Sequence, residues 1–253
     1  MSTPRALVRV IVQPDMPSAL GGRTVPALSP YQVHVWRQRL LLSQRDVQPL
    51  LSLLSPDERD RAQRFRFDKD QISFIVCRAT LRALLAQYSS RLPADIQFLY
   101  SEYGRPALPQ STDAAVVEFN VSHSDEIALL AFARGFRIGI DVEKVRSDFN
   151  PFEIAERFFS SAERKALSEV PANEQHEAFF RCWTRKEAFI KALGEGLSHP
   201  LDQFDVPIGP ENPEALLATR PDEQEVRRWM LADVSLPDGY AAALVAELPT
   251  HGE

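Results

Sequence analysis

The stretch IGIDVEK, residues 138–144, decides the fold because it has the alternation of a β-strand. Its three aliphatic residues occupy alternate positions, and Gly139, Asp141 and Glu143 occupy the positions between and after them. Alternate residues of a strand share one face, with Cα atoms about 6.6–7 Å apart. Asp141 and Glu143 therefore project from the same face, where like charges repel each other. The pattern predicts a strand with an apolar face for the core and an acidic face that needs a compensating charge.

A second copy of this pattern lies 105 residues earlier in the chain. In that register VHVWRQ (33–38) aligns with IGIDVE (138–143), LSPDERDR (54–61) with FSSAERKA (159–166), and FIVCRATLRALL (74–85) with FFRCWTRKEAFI (179–190). Few residues are identical, but three segments in one order at one offset indicate an internal repeat. The repeat predicts two similar α+β subdomains, residues 1–137 and 138–253, packed as a pseudo-dimer.

Helix starts in both halves support this register. Ser55-x-x-Glu58 and Ser160-x-x-Glu163 are both capping boxes, and Pro56 stands at the favoured first helical position. Amphipathic periodicity then predicts one helix in each half, over RATLRALLAQYSSRL (78–92) and RKEAFIKALGEGL (185–197).

Strand patterns complete the two halves. They occur at EFNVSH (118–123), EIALLAFARG (126–135), RRWMLADVSL (227–236) and YAAALVAEL (240–248). Residues 122–125 and 236–239 have turn-forming composition and are predicted to connect these strands in pairs. The Pro-rich stretch 207–221 is predicted to be a loop.

The repeat is most informative where it fails. Three acidic residues of the second half have no acidic counterpart in the first, namely Asp141, Glu143 and Glu187 opposite Trp36, Gln38 and Arg82. A structural role common to both halves would have kept similar residues in both. The acidic positions therefore indicate a single asymmetric site.

The chemistry of these three acids favours a metal ion. Asp141, Glu143 and Glu187 supply hard oxygen ligands without a His or Cys partner, which suits Mg²⁺, with Mn²⁺ as an alternative. Each pattern alone is more often structural. In particular, Glu187 and Lys191 share a helix face four residues apart, as in many exposed salt bridges.

Three further residues are weaker candidates. His123 lies in a predicted turn, where a histidine is usually solvated, but beside Ser122 it is also placed to donate to a phosphate oxygen. Glu163 serves its capping box first, with a place near the metal as the alternative. The chain has no P-loop, dinucleotide-binding or G-x-S-x-G motif, so the corresponding enzyme classes lack their usual support.

Composition narrows the setting of the protein. The 253 residues carry a net charge of −6, which argues against a general nucleic-acid binder. Residues 36–91 nevertheless hold 11 basic and 6 acidic residues, which indicates either a local anion site or a solvated helix face. Cys77 and Cys182 fit no metal or redox motif, and no apolar run is long enough to span a membrane. We expect a cytoplasmic monomer.

Four motifs together resemble the 4′-phosphopantetheinyl transferases of the surfactin-synthetase-activating type. The resemblance runs from about Leu54 to Val206. Its motifs are FNVSHS (119–124), IGIDVEK (138–144), RFFSSAE (157–163) and WTRKEAFIKALGEGL (183–197). Each is common by itself, and the four in this order and spacing are specific.

This resemblance implies a fold and a reaction. Members of the family are pseudo-dimers of two α+β halves with one active site in the cleft between them. They transfer the 4′-phosphopantetheine arm of coenzyme A to a serine of an apo acyl or peptidyl carrier protein and release 3′,5′-ADP. The nucleophile belongs to the carrier, which agrees with the absence of a recognisable nucleophilic triad in this sequence.

Residue roles follow from the same resemblance. Asp141, Glu143 and Glu187 would hold Mg²⁺ on the pyrophosphate, Lys191 would approach the phosphates and the leaving group, and Glu187 would take the serine proton. Further contacts with coenzyme A are implied for Ser122, His123, Arg105 and Arg61.

Two positions depart from the family pattern. The family usually has a basic residue where this chain has Glu58, and an Arg- or His-bearing stretch where it has QISF (71–74). Both help to hold the 3′-phosphate of coenzyme A in the family. Arg61, Arg64 and Arg78 are the candidates to replace them.

Two other functions remain open from the sequence. One is a catalytically silent module that binds coenzyme A or a carrier protein on the same fold. The other is a metal-dependent pyrophosphate hydrolase. Within the transferase hypothesis, fatty-acid, polyketide and nonribosomal-peptide carriers all remain candidate partners.

Overall fold

The computed structural model describes residues 8–13, 24–102, 104–109, 116–194, 196, 199–211, 213 and 215–248. The predicted mixture of α and β structure is confirmed. The chain divides into two compact units. The C-terminal unit comprises Met1–Arg9, Asn120–Ser122 and Phe136–Glu253, and the N-terminal unit comprises Val10–Phe119 and His123–Gly135. The pseudo-dimer and the boundary at residues 137 and 138 stay predictions.

Eleven strands and six α-helices lie within the described residues. The strands are β1 (Arg9–Val12), β2 (Gln32–Arg39), β3 (Leu99–Tyr100), β4 (Pro106–Ala107), β5 (Val117–Ser124), β6 (Ile127–Arg134), β7 (Ile138–Lys144), β8 (Phe204–Asp205), β9 (Ala218–Thr219), β10 (Trp229–Asp233) and β11 (Tyr240–Glu247). The helices are α1 (Gln44–Val47), α2 (Pro56–Gln63), α3 (Asp68–Ser89), α4 (Pro151–Phe158), α5 (Ser161–Glu169) and α6 (Gln175–Leu193). The two larger sheets have the orders β1-β2-β6-β5 and β10-β11-β7.

In the N-terminal unit, α3 packs on the four-stranded sheet through buried polar contacts as well as apolar ones. The hydroxyl of Tyr88 accepts a hydrogen bond from Trp36 Nε1 at 2.9 Å and lies 2.8 Å from His34 Nδ1. About two turns earlier in α3, the hydroxyl of Thr80 donates to Gln38 Oε1 at 3.3 Å. All five side chains are buried, so each contact is made away from water and fixes the helix against β2.

In the C-terminal unit, α6 packs on the three-stranded sheet. The strands β10 and β11 and the strands β11 and β7 pair antiparallel. Phe189 of α6 meets Trp229 of β10 and Phe204 of β8 edge to face, with ring centroids 5.4 and 4.6 Å apart. These rings belong to one apolar cluster that fills the space between the helix and the sheet.

Both predicted capping boxes are confirmed, and both capping glutamates have a second use. The backbone N–H of Ser55 donates to Glu58 at 3.0 Å, and that of Ser160 donates to Glu163 at 2.9 Å. Each carboxylate is only 2% exposed. Glu58 accepts from Arg82 Nε of α3 at 2.6 Å, and Glu163 pairs with a lysine of α6. A buried ion pair thus ties the start of the short helix to the long helix in each unit.

Several predicted element bounds are wrong. Both long helices begin ten residues before the predicted start, and these first ten residues also bury apolar side chains, such as Val76 and Phe179. They also end earlier, where Ser90 (φ 53°) and Gly194 (φ 81°) adopt the left-handed conformation that stops a helix. The predicted loop at 207–221 contains the short strand β9.

The predicted turn at 122–125 is also wrong. Strand β5 continues to Ser124, and the chain reverses at Asp125 (φ 50°) and Glu126 instead. His123 therefore lies on a strand and is exposed. Three of the four residues predicted to form the turn, Ser122, His123 and Ser124, instead belong to strand β5.

Stability at the far end of the C-terminal sheet should depend on pH through Glu247. Hydrogen bonds from Arg137 and Arg228 lower the pKa of Glu247 to about 2 although partial burial raises it. A lowered folded-state pKa stabilises the native state above the unfolded pKa of about 4.3, and that contribution disappears as the pH falls towards 2. We predict that Glu247→Gln lowers the urea midpoint at pH 7 and that the difference from the native protein is smaller at pH 3.

The matched control is Glu169→Gln, an exposed carboxylate at the end of α5 that forms no ion pair with the described residues. It should leave the midpoint nearly unchanged at both pH values. An equal deficit of Glu247→Gln at pH 7 and pH 3 would contradict the assigned cause.

Candidate functional site

The site begins at a close approach between α6 and β7. Gly139 has no side chain, and a Cβ there would overlap the carbonyl oxygen of Ala188 and the amide nitrogen of Ala192. The helix backbone therefore lies directly on the strand at this residue. Asp141 and Glu143 follow on the same face of β7, opposite Ala243 and Ala241 of β11. The face that carries the acids is thus the face that α6 covers.

Asp141 is the centre of a hydrogen-bonded cluster of three predicted site residues. Its Oδ1 accepts from the hydroxyl of Ser122 at 2.7 Å and from Lys191 Nζ at 2.6 Å. Lys191 also donates to the hydroxyl of Ser122, at 2.9 Å. Asp141 is 2% exposed. A carboxylate so far from water requires a paired charge, and Lys191 supplies it.

The other two acids share this electrostatic environment. Burial and the negative charge of Asp141 raise the pKa of Glu187 to about 7, with a smaller contribution from Glu143, while Lys191 opposes the rise. Glu187 is therefore close to both strand carboxylates, as the sequence predicts. The two strand carboxylates thus act on Glu187 in one direction and Lys191 acts in the other.

The residues present fit a hard cation. Asp141 Oδ2 is buried and accepts no hydrogen bond from any described residue. Within the described ranges no three acidic, His or Cys side chains form a ready-made metal cage. An unsatisfied carboxylate oxygen beside two more carboxylates is nevertheless the donor set that Mg²⁺ prefers.

The remaining predicted contacts with coenzyme A lie in the N-terminal unit. Arg61 is exposed on α2, with its guanidinium over the ring of Phe74 at 5.1 Å. Arg105 is half-buried just before β4, and His123 is exposed on β5. The C-terminal unit by itself brings together Ser122 and the residues Asp141, Glu143, Glu187 and Lys191.

The alternative role of Glu163 near a metal is not supported. Its carboxylate accepts from the backbone N–H groups of Ser160 at 2.9 Å and Val206 at 2.8 Å, and it pairs with Lys186 at 2.8 Å. All of these partners are structural. Glu163 is a buried cap that ties α5 to α6.

Sequence reasoning missed two basic residues that position the segment after α6. Lys186 and Arg185 are fully buried. Lys186 donates to the carbonyl oxygens of Leu201 at 2.6 Å and Phe204 at 2.8 Å, and Arg185 donates to that of Pro207 at 2.7 Å. Two adjacent charged residues on a helix suggest a solvated face, so the sequence held no signal for this clamp.

Sequence reasoning also missed Asn120. Its Oδ1 accepts from the backbone N–H of Ile140 at 2.9 Å, and Asn120 is 6% exposed. The sequence signal is that Asn120 and Ser122, two residues apart in FNVSHS, share one face of the predicted strand.

Comparison with known proteins decides the family. A 4′-phosphopantetheinyl transferase of Nostoc sp., HetI, is 35% identical over 215 residues, which cover 85% of this chain and 87% of that protein. The chain belongs to the 4′-phosphopantetheinyl transferase superfamily. The superfamily's model matches residues 137–245, and a model described as the N-terminal part of a 4′-phosphopantetheinyl transferase matches residues 42–134.

A second relative matches a shorter part of the chain. The 4′-phosphopantetheinyl transferase Sfp of Bacillus subtilis is 37% identical over 165 residues, which are 65% of this chain and 71% of that protein. The resemblance to the surfactin-synthetase-activating type and the prediction of a transferase are therefore confirmed.

None of the helices formed by the described residues is both long and apolar enough to cross a membrane.

The close approach at Gly139 gives a direct test of the site's architecture. We predict that Gly139→Ala lowers the free energy of unfolding by about 3 kcal/mol, because the new methyl group overlaps backbone atoms of α6 that cannot rotate away. Urea denaturation followed by tryptophan fluorescence measures this change.

A second glycine provides the control. A Cβ at Gly209 would meet only the carboxylate of Glu211, which can move aside, so Gly209→Ala should cost far less. If the urea midpoint of Gly139→Ala equalled that of the unsubstituted protein, α6 would not lie on β7 as described.

Proposed function

We propose that the protein transfers the 4′-phosphopantetheine arm of coenzyme A to a serine hydroxyl of an apo acyl or peptidyl carrier protein, releasing 3′,5′-ADP with Mg²⁺ as cofactor. The observation that carries the proposal is the cluster of Asp141, Lys191 and Ser122 beside Glu187, in a chain of this superfamily. The cluster offers the charges that a pyrophosphate and its metal need.

Asp141, Glu143 and Glu187 would hold the metal ion, which when bound supplies charge neutralisation at the pyrophosphate oxygens. Asp141 has a free buried oxygen for this purpose. Its other oxygen is held by Ser122 and Lys191, so its carboxylate is oriented before the substrate arrives. Pre-orientation lowers the reorganisation that binding would otherwise need.

In the reaction the serine oxygen of the carrier forms a bond to the phosphorus of the arm, and the bridging bond to the 3′,5′-ADP oxygen breaks. Glu187 is the candidate to accept the serine proton, either directly or through a water that the metal ion would hold. Lys191 Nζ carries the positive charge that stabilises, and can protonate, the leaving phosphate oxygen.

Contacts with coenzyme A extend the proposal to residues 1–137. In it, Ser122, His123, Arg105 and Arg61 contact the nucleotide and its phosphates, and Lys191 joins them from residues 138–253. The two halves form a pseudo-dimer with the site in their cleft. We further propose that the protein is a cytoplasmic monomer that binds neither nucleic acid nor membranes.

The departure at Glu58 bears on the 3′-phosphate. Glu58 is engaged in a buried ion pair with Arg82 at 2.6 Å and lies 3.6 Å from Arg78. The negative charge is thereby neutralised inside the unit and does not oppose a phosphate. Among the candidates to hold that phosphate, Arg61 and Arg64 are exposed and Arg78 is half-buried.

The decisive experiment is a transfer assay read by intact-protein mass spectrometry. The protein is incubated with coenzyme A, Mg²⁺ and a set of apo carriers from fatty-acid, polyketide and nonribosomal-peptide systems. We expect at least one carrier to gain the mass of one phosphopantetheinyl arm. No gain on any carrier, while a known transferase modifies them all, would reject the proposal.

Asp141→Asn tests the metal site in the same assay. We predict that the rate falls by at least about 10²-fold, because the neutral amide removes the buried charge that holds both the cation and Lys191. Glu169→Gln is again the control and should transfer at the native rate. A native rate for Asp141→Asn would remove Asp141 from the metal site.

Two side measurements identify the other functions. A silent binding module would bind coenzyme A in calorimetry yet modify no carrier. A pyrophosphate hydrolase would release 3′,5′-ADP from coenzyme A with no carrier present.

A further inference from the structure

The outer edge of β7 is closed by side chains. β7 is an edge strand of the sheet β10-β11-β7, so the N–H groups on its outer edge have no neighbouring strand in that sheet. The N–H of Ile140 donates instead to Asn120 Oδ1 at 2.9 Å, and that of Val142 lies 3.4 Å from the hydroxyl of Ser122. Two alternate side chains of β5 thus take the place of a fourth strand.

These substitute bonds are made away from water. Ile140 and Val142 are fully buried, and Asn120 and Ser122 are 6% and 8% exposed. A buried backbone N–H without an acceptor is strongly unfavourable, so the acceptor side chains determine where the strand edge lies. The shorter of the two bonds belongs to Asn120.

The two supported amides flank Asp141. On its inner edge Asp141 faces Ala243 of β11. On its outer edge the neighbouring residues are fixed by Asn120 on one side and Ser122 on the other. Ser122 also bonds to the Asp141 carboxylate itself, whereas the contact of Asn120 is with the backbone alone.

We propose that Asn120 is a positioning residue of the transferase site, which sets the place of Asp141 by accepting the Ile140 N–H. The inference rests on the proposed function. It assigns Asn120 no contact with coenzyme A, with the metal or with the carrier.

The residue type suits this role. An asparagine offers an oxygen acceptor on a short, neutral stem. An aspartate would add a further negative charge near three carboxylates, and an alanine would leave the Ile140 N–H unsatisfied. Site geometry must hold within about 0.5 Å for full activity, so a small shift of β7 at Asp141 lowers the rate.

The test compares Asn120→Ala with Thr80→Val. Thr80 is fully buried in the N-terminal unit and donates to Gln38, so its replacement also removes one buried hydrogen bond but leaves β7 intact. Three quantities are measured on the full chain: amide hydrogen exchange at Ile140, the Mg²⁺ dependence of coenzyme A binding by calorimetry, and kcat with KM for the carrier.

For Asn120→Ala we expect exchange at Ile140 to be at least about tenfold faster, because the amide loses its acceptor. The Mg²⁺ concentration for half-maximal binding should rise about tenfold and kcat should fall about tenfold, with KM for the carrier unchanged, as for a displacement of Asp141 alone. Thr80→Val should lose comparable stability and change none of the three.

If Asn120→Ala does not fold, Asn120→Ser carries the test, since its shorter hydroxyl keeps a weaker acceptor and predicts smaller changes in the same directions. Native exchange at Ile140, or native Mg²⁺ dependence despite faster exchange, would overturn the inference. Equal losses in Thr80→Val would overturn it as well.

Failure of the proposed function is separable from failure of this inference. An inactive native protein would reject the transferase proposal, and exchange at Ile140 and metal-dependent binding would still decide the role of Asn120.

Discussion

The contact between α6 and β7 at Gly139 is the constraint on which the site depends. Only a residue without a side chain lets the backbone of α6 lie on the strand, at Ala188 and Ala192. A helix held further away would carry Glu187 and Lys191 out of reach of the strand carboxylates. The repeat partner of Gly139 in the N-terminal unit is His34, whose large side chain lies 2.8 Å from the hydroxyl of Tyr88 on α3.

The close packing of α6 on β7 brings three acidic side chains and Lys191 near one another. Asp141 is buried and Glu143 and Glu187 are half-buried, so their mutual repulsion is screened less than it would be on the open surface. Lys191 pairs with Asp141, and the pKa of Glu187 is raised first by burial and then by the negative charge of Asp141. Protonation of Glu187 would relieve this repulsion, and so would the divalent cation of the proposed function.

The periodicity of the sequence predicted which side chains share a face of a strand. It did not predict contacts between residues that are far apart in the sequence. The strand period predicts that Asp141 and Glu143 share one face, and the internal repeat identifies Glu187 as the third acid. The contact of Asn120 was not predicted, because its partner is a backbone amide twenty residues away in the sequence. Lys186 and Arg185 escaped notice because a charged residue in a helix usually faces solvent, and nothing local marks one that clamps carbonyl oxygens.

A comparison of the buried ion pairs in the two units explains why Glu187 on α6 is not used to neutralise a capping glutamate. In the N-terminal unit the capping glutamate, Glu58, is neutralised by Arg82, the repeat counterpart of Glu187. In the C-terminal unit Glu163 is neutralised by Lys186, one residue before Glu187. Neighbouring residues on a helix point about 100° apart. Because Lys186 makes the structural ion pair, the next residue, Glu187, points away from that pair and lies close to the carboxylates of β7.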